Sequence, residues 1–325
     1  MFNSILLSNF IEKDPGFIVG PISNFLGVFI NIIFNMVYSI TTSNSLGFTI
    51  ILFTIFIRII MLPLNYKQQK SMFMMQKIQP EMKAIQDKYK DTKDPNETRK
   101  MQMEITQLYA KYNYNPFSGC LPVFVQLPLF IALFFIMKNS YIYISALNNV
   151  YAEIGLQLMS DQNFADITSI VAGLVPSGMA IDISIMSDLQ KIINKLTPEH
   201  WVLIQETLPS VDIIELLDLK NSIQTFGAFN LSEVIGVRFP EFILVILSAG
   251  TTFLSSWLAM RSSTSTDPNI IMQQKVMNVL MPLMMGWFTI SMPCGVAFYW
   301  IIGNIIQMIQ QVFLTKYCKK KFAES

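Results

Sequence analysis

The chain has 325 residues, of which 52% are hydrophobic and only 14% charged, with a mean hydropathy of +0.44. Soluble domains carry about a quarter charged residues, so this composition excludes an ordinary water-soluble globule. The formal net charge is +1, and any functional asymmetry must therefore lie in where the charges sit.

The first residues, MFNSILLSNFI, lack a basic n-region and a small-x-small cleavage site. Targeting is accordingly expected to reside in the first true span. Residues 17–40 are apolar, yet Asn24, Gly27, Asn31, Asn35 and Ser39 recur every three or four positions and draw one polar stripe. The stripe predicts an amphipathic helix lying in the outer interface, within an extracytoplasmic N-terminus of 1–45. A sixth span is the alternative.

A bilayer core needs about 20 mostly apolar residues in a helix. Five runs meet that need: 46–65, 120–138, 241–260, 276–292 and 294–315. The last two are separated by little more than Pro293 and are expected to form a tight helical hairpin. Pro122, Pro128, Pro282 and Pro293 lie in or beside the spans, where freed carbonyls need partners from neighbouring helices or water. The cysteines, Cys120, Cys294 and Cys318, match no disulfide framework and no metal-ligand spacing. They are expected to be small apolar fillers and one tail thiol.

Lysine and arginine in the connections set the orientation. Segment 66–119 holds Lys67, Lys70, Lys77, Lys83, Lys88, Lys90, Lys93, Arg99, Lys100 and Lys111. Segment 139–235 holds Lys191, Lys195 and Lys220 against eleven acidic residues, and the tail adds Lys316, Lys319, Lys320 and Lys321. The positive-inside rule places 66–119, the short loop 261–275 and the tail 316–325 in the cytoplasm. The N-terminus and an enlarged acidic region, 139–240, fall outside. In that region Thr197-Pro198-Glu199 reads as a helix start, and runs such as WVLIQETL predict a small helical domain. The expected fold class is thus all-α: a polytopic membrane protein with a five-transmembrane-helix bundle, N-out and C-in, and a cytoplasmic helical hairpin.

In that hairpin Met72, Met75, Ile78, Met82, Ile85 and Tyr89 step by three and four, as a coiled-coil seam does. Asp94-Pro95-Asn96-Glu97 reads as a helix start, with an aspartate cap, proline at the first position and a glutamate placed for a capping box. Met101, Ile105, Leu108 and Tyr112 continue the seam on a second, antiparallel helix. Most of the methionines fill the seam. Met74 and Met103 lie off it and are the candidates for contact with lipid or an apolar partner. The basic exterior suits solvent, anionic inner-leaflet lipid or a ribosome.

Arg58 is the most informative residue. It lies inside FTIFIRIIML, where a central arginine costs roughly 2.5–3.5 kcal/mol on the insertion scale. The interiors of the other spans contain no Asp or Glu; Glu241 stands at an outer edge. A long stem allows snorkelling to the headgroups; the other reading is a wet cavity inside the bundle. Thr54 one turn away, Gln126 in the second span, and Trp300 with Asn304 on the fifth supply further polar groups for such a cavity. Uncharged polar residues also serve as glue between membrane helices.

At these residues the chain resembles the YidC/Oxa/Alb membrane protein insertases. GFTIILFTIFIRIIMLPLNYKQQKSM is similar to the family's arginine-bearing span and its exit, and YNYNPFSGCLPVFVQLPLFIALF to its Asn-Pro-x-x-Gly-Cys-x-Pro approach to the second span. TTFLSSWLAM, DPNIIMQQKVMNVLMPLMM and PCGVAFYWIIGNIIQMIQQ follow in family order. The resemblance covers about 45–138 and 236–316. It implies a hydrophilic groove, open to cytoplasm and lipid, lined by Arg58, Thr54, Gln126 and Trp300. It also implies hydrophobic client contacts at Leu127, Pro128 and Phe130. The implied partners are nascent membrane proteins, with a Sec translocon and the ribosome as further candidates. With no transit peptide visible, a bacterial plasma membrane is expected rather than an organelle. The outer segment 139–235 is longer than the family's usual connection, and the tail KYCKKKFAES is shorter than the basic tails some members use at ribosomes.

Two rival classes are weighed. An enzyme lacks support: His200 is the sole histidine, and no HExxH, GxSxG or phosphate loop is present. No cofactor or metal is expected. A polar-groove transporter or channel is the alternative, although no inverted repeat or carboxylate relay is visible.

Overall fold

The computed structural model describes residues 16–90, 94–115, 121–171, 182–261 and 268–322. Cys120, Lys93 and parts of the NPFSGC and 261–275 segments lie outside the described residues. The described chain is predominantly helical, as expected of an all-α membrane protein. Among the described residues three helices are long and apolar enough to cross a membrane: Val19–Tyr38, Phe242–Met260 and Cys294–Lys321. The pair Ser45–Ile60 and Leu62–Lys88 qualifies together, and Phe124–Lys138 and Asn278–Ile290 are apolar but shorter.

The chain divides into two compact units. The first comprises residues 1–53, 131–233 and 293–296. It contains α1 (Gly16–Tyr38) and the start of α2 (Ser45–Ile60). The end of α5 (Leu121–Lys138) follows, then α6 (Ser140–Tyr143), α7 (Ser145–Met159), α8 (Ile167–Val171), α9 (Met186–Ile193), α10 (Pro198–Thr207) and α11 (Ile214–Gln224). A two-stranded antiparallel ribbon, β1 (Thr225–Phe226) with β2 (Phe229–Asn230), closes it. The polar stripe of α1 meets protein. Asn31 Oδ1 accepts from the Ser145 backbone N–H at 2.9 Å and from its hydroxyl at 3.1 Å, and Gly27 leaves room for the Tyr143 ring. Phe25, Val28, Ile32 and Met36, on the other side, are exposed. His200 is consumed structurally: its Nδ1 accepts from the Thr197 backbone N–H at 3.2 Å in a capping box that opens α10.

Gly47 in α2 faces Phe226, whose ring a Cβ would overlap; that Cβ would also stand 2.8 Å from the Phe226 Cβ. Gly→Ala inside a helix ordinarily gains about 0.5–1 kcal/mol. Here the sign is expected to invert, with Gly47→Ala losing about 1–3 kcal/mol through overpacking. Thermal unfolding in detergent checks it, and a raised Tm would contradict the close approach.

The second unit comprises 54–130, 234–292 and 297–325. Within it α3 (Leu62–Lys88) and α4 (Pro95–Lys111) pair in opposite directions, Lys88 with Glu104 at 2.7 Å and Lys111 with Glu81 at 2.9 Å. Ile78, Met82 and Leu108 form their core, with Met75, Ile85, Ile105 and Tyr112 against it. The Asp94 side chain accepts from the Asn96 N–H at 2.9 Å and Pro95 begins α4. Tyr112 and Lys111 donate to Glu81, and Lys88 and Tyr89 to Glu104, which holds both carboxyls below the usual carboxylate range. The helix through Arg58 does not run on to 65. It breaks at Met61, and α3 leaves at a bend of 54°. Pro63, in the first turn of α3, explains the break, since it brings no backbone N–H to continue the ladder. The unit is completed by α12 (Phe242–Arg261), α13 (Pro268–Ile290) and most of α14 (Cys294–Phe322). Ser256 on α12 donates to Asn278 Oδ1 on α13 at 2.6 Å.

Candidate functional site

Several polar side chains of the second unit converge on α14. Along one of its faces Tyr299, Gly303, Gln307 and Gln310 follow at steps of three and four, which places them one above another. Trp300 and Asn304 form the adjoining face.

Arg58, in the last turn of α2, is 6% exposed, so its side chain is packed within the protein. Its Nη1 donates to Gln307 Oε1 at 3.0 Å. Among the described residues its buried Nε has no hydrogen-bond partner and no ion pair involves it. Gly303 lies directly beneath: a Cβ there would stand 2.8 Å from Nη2 and 3.4 Å from Nε. The carbonyl of Arg58, close to the helix break, accepts from Gln310 Nε2 at 3.0 Å. Beyond the bend, Asn65 Nδ2 donates to Gln310 Oε1 at 3.1 Å and Gln69 Nε2 to Thr315 Oγ1 at 2.9 Å.

The other expected residues take distinct places. Thr54 is buried. Gln126, on α5, donates through Nε2 to Tyr299 Oη at 3.1 Å. Trp300 and Asn304 face α12 instead: Trp300 Nε1 donates to Thr252 Oγ1 at 2.8 Å, and Asn304 Nδ2 reaches Thr251 and Thr252 Oγ1 at 3.1 Å each. Phe130 packs edge-on against Trp300, ring centroids 5.1 Å apart, and Pro128 is half-buried. Leu127 is 58% exposed. On the hairpin Met103 is exposed and Met74 half-buried. Sequence reasoning missed Tyr299, Gly303, Gln307, Gln310, Asn65, Gln69, Thr251 and Thr252. The spacing on α14 carried a signal for four of them.

Thr252→Val keeps the side-chain shape but strips the acceptor from the Trp300 indole. The expected cost is about 1 kcal/mol, in the range of hydrogen bonds between membrane helices. A double-mutant cycle with Trp300→Phe checks it: simple additivity would mean that this bond holds nothing together.

With this geometry the family can be stated. Residues 36–321 match the family described as 60Kd inner membrane protein. The chain belongs to that family. The YidC/Oxa/Alb resemblance is borne out by this match together with the relatives of the chain. The membrane protein insertase YidC of Clostridium perfringens is 30% identical, over 85% of this chain and 81% of its own length. The corresponding insertase of Oceanobacillus iheyensis is 28% identical, over 83% and 74%. The chloroplastic ALBINO3-like protein 1 of Arabidopsis thaliana is 29% identical, over 91% of this chain and 48% of its own length.

Proposed function

We propose that this chain is a membrane protein insertase: it receives hydrophobic segments of nascent membrane proteins and passes them into the bilayer. The carrying observation is a buried arginine whose hydrogen-bond acceptor is a neutral amide. A full positive charge held this way inside an apolar protein remains free to attract an acidic or polar stretch of a passing chain. Arg58, Thr54, Gln126, Trp300 and Asn304 are read as the polar lining of a groove, and Leu127, Pro128 and Phe130 as the apolar track beside it. The groove shortens the hydrocarbon that a client's polar outer tail must cross, which lowers the desolvation barrier. The client's apolar segment meanwhile slides along exposed side chains such as Leu127 into lipid. Neither step uses a nucleotide or a metal.

The orientation that fits is N-out and C-in, with five crossings built on α2, α5, α12, α13 and α14. In this arrangement α1 lies at the outer interface, since a sixth crossing would bring the N-terminus inside. The lysine-rich hairpin then meets anionic lipid and the ribosome, with exposed Met103 and half-buried Met74 available to clients. The bacterial plasma membrane is the proposed location, and the Sec translocon a further partner.

The test is complementation. In cells depleted of their own insertase, the chain is expected to restore insertion of a short single-span client, read by protease access to the client's outer tail. Insertion no higher than the depleted background, with the chain present in the membrane, would refute the insertase reading. Steady, selective single-channel conductance would favour the channel class.

A further inference from the structure

We propose that Gly303 and Gln307 form a neutral seat for Arg58, which fixes the guanidinium in place without cancelling its charge. The inference deepens the insertase reading and rests on it.

A buried arginine is ordinarily met by a carboxylate, whose two oxygens match the guanidinium fork. Here the acceptor is the amide oxygen of Gln307, at 3.0 Å from Nη1. An amide dipole orients the fork and leaves the net charge at +1, whereas a carboxylate at the same distance makes the pair neutral. Among the described residues the buried Nε has no partner, which leaves a charged donor unmet, a costly arrangement unless something else is to meet it. Gly303 supplies the floor. The Nη2 atom sits where a Cβ would stand 2.8 Å away, so the guanidinium rests against the backbone of α14 and any larger residue displaces it.

The seat is braced from both sides of the bend. Gln310 holds the Arg58 carbonyl with one end of its amide and Asn65 with the other, and Gln69 ties to Thr315 further along. Breaks in a membrane helix persist only where freed carbonyls find such partners. This ladder of neutral amides therefore fixes the register of α14 against α2 and α3, and brings Gln307 level with Arg58. Gly303 and Gln307 are positioning residues, acting through the arginine.

The experiment uses the full chain in the depletion background with two clients. One has an acidic outer tail; the other has the same tail with its carboxylates changed to amides. Gln307→Glu is nearly isosteric and places an ionised carboxylate on the guanidinium. It is expected to lower insertion of the acidic client by about tenfold and to spare the amide client. Gly303→Ala is expected to shift the same ratio by displacing the guanidinium. Gln307→Glu inserting the acidic client like wild type, while Arg58→Ala fails, would overturn the seat and leave the charge-attraction reading standing. Equal loss of both clients would overturn the seat as well, because a merely structural lesion does not sense the tail. Wild-type insertion of both clients by Arg58→Ala would remove the reading beneath. Membrane abundance of each variant is measured alongside.

Discussion

Insertion of a short client with an acidic outer tail is expected to fail in Arg58→Ala and to persist in part in Arg58→Lys. A carboxylate about 5 Å from the guanidinium gains about 3 kcal/mol at an effective dielectric near 20. Removing that attraction slows the step about a hundredfold. Alanine loses the charge and also strands Gln307 Oε1. Lysine keeps the charge but presents a compact ammonium, with no planar fork to lie over Gly303 while donating to Gln307. It is expected to restore a fraction of the rate. Pulse-labelled insertion, normalised to the membrane level of each variant, separates these cases. Equal insertion by alanine and wild type would show that the charge draws in nothing, whatever apolar chaperoning remains.

The helical class was legible because the apolar runs are long and nearly free of charge. The hairpin core was legible too, since Ile78, Met82 and Leu108 sit at seam spacing and do pack together. The importance of Arg58 followed from the absence of intramembrane carboxylates. Its partner did not, because Gln307 lies 249 residues away and only packing sets the register between α2 and α14. Trp300 and Asn304 were expected to supply polar groups to the same cavity as Arg58. They turn to Thr251 and Thr252, a choice made by helix rotation that a single sequence does not encode in any local pattern. The break at Met61 had a local signal in Pro63, but the apolar run through 65 masked it. The polar stripe of α1 was visible, while its engagement of Ser145 depends on chain 114 residues further on.

Tyr151→Ala is expected to cost the first unit about 3–5 kcal/mol, the usual penalty for emptying a large buried aromatic site. Tyr151 is 1% exposed and its ring stacks on Tyr141 at 5.1 Å. Its hydroxyl donates to Asn194 Oδ1 at 3.2 Å and accepts from Gln224 Nε2 at 3.2 Å. Asn194 in turn donates to the Lys138 carbonyl at 3.0 Å, and Gln224 to Ser232 Oγ at 3.0 Å. One phenol thereby links the end of α5, α9, α11 and the segment after the ribbon. Tyr151→Phe removes only the hydroxyl and is expected to cost about 1–2 kcal/mol, mostly from the amides left unpaired. The two substitutions also differ from wild type in alkali. Burial pushes the Tyr151 phenol up to about 12, against the opposing hydrogen bond from Gln224. Folding therefore favours the neutral form. Above the unfolded value near 10 the unfolded state binds fewer protons than the folded one, so stability falls as pH rises from about 10 towards 12. Phenylalanine at this position has no proton to lose, and the gap between wild type and Tyr151→Phe is expected to narrow over that window. Limited proteolysis of the 139–235 segment against pH reads it directly: a gap constant from pH 8 to 12 would mean that the phenol ionises as easily folded as unfolded, and that the network around it is open to water.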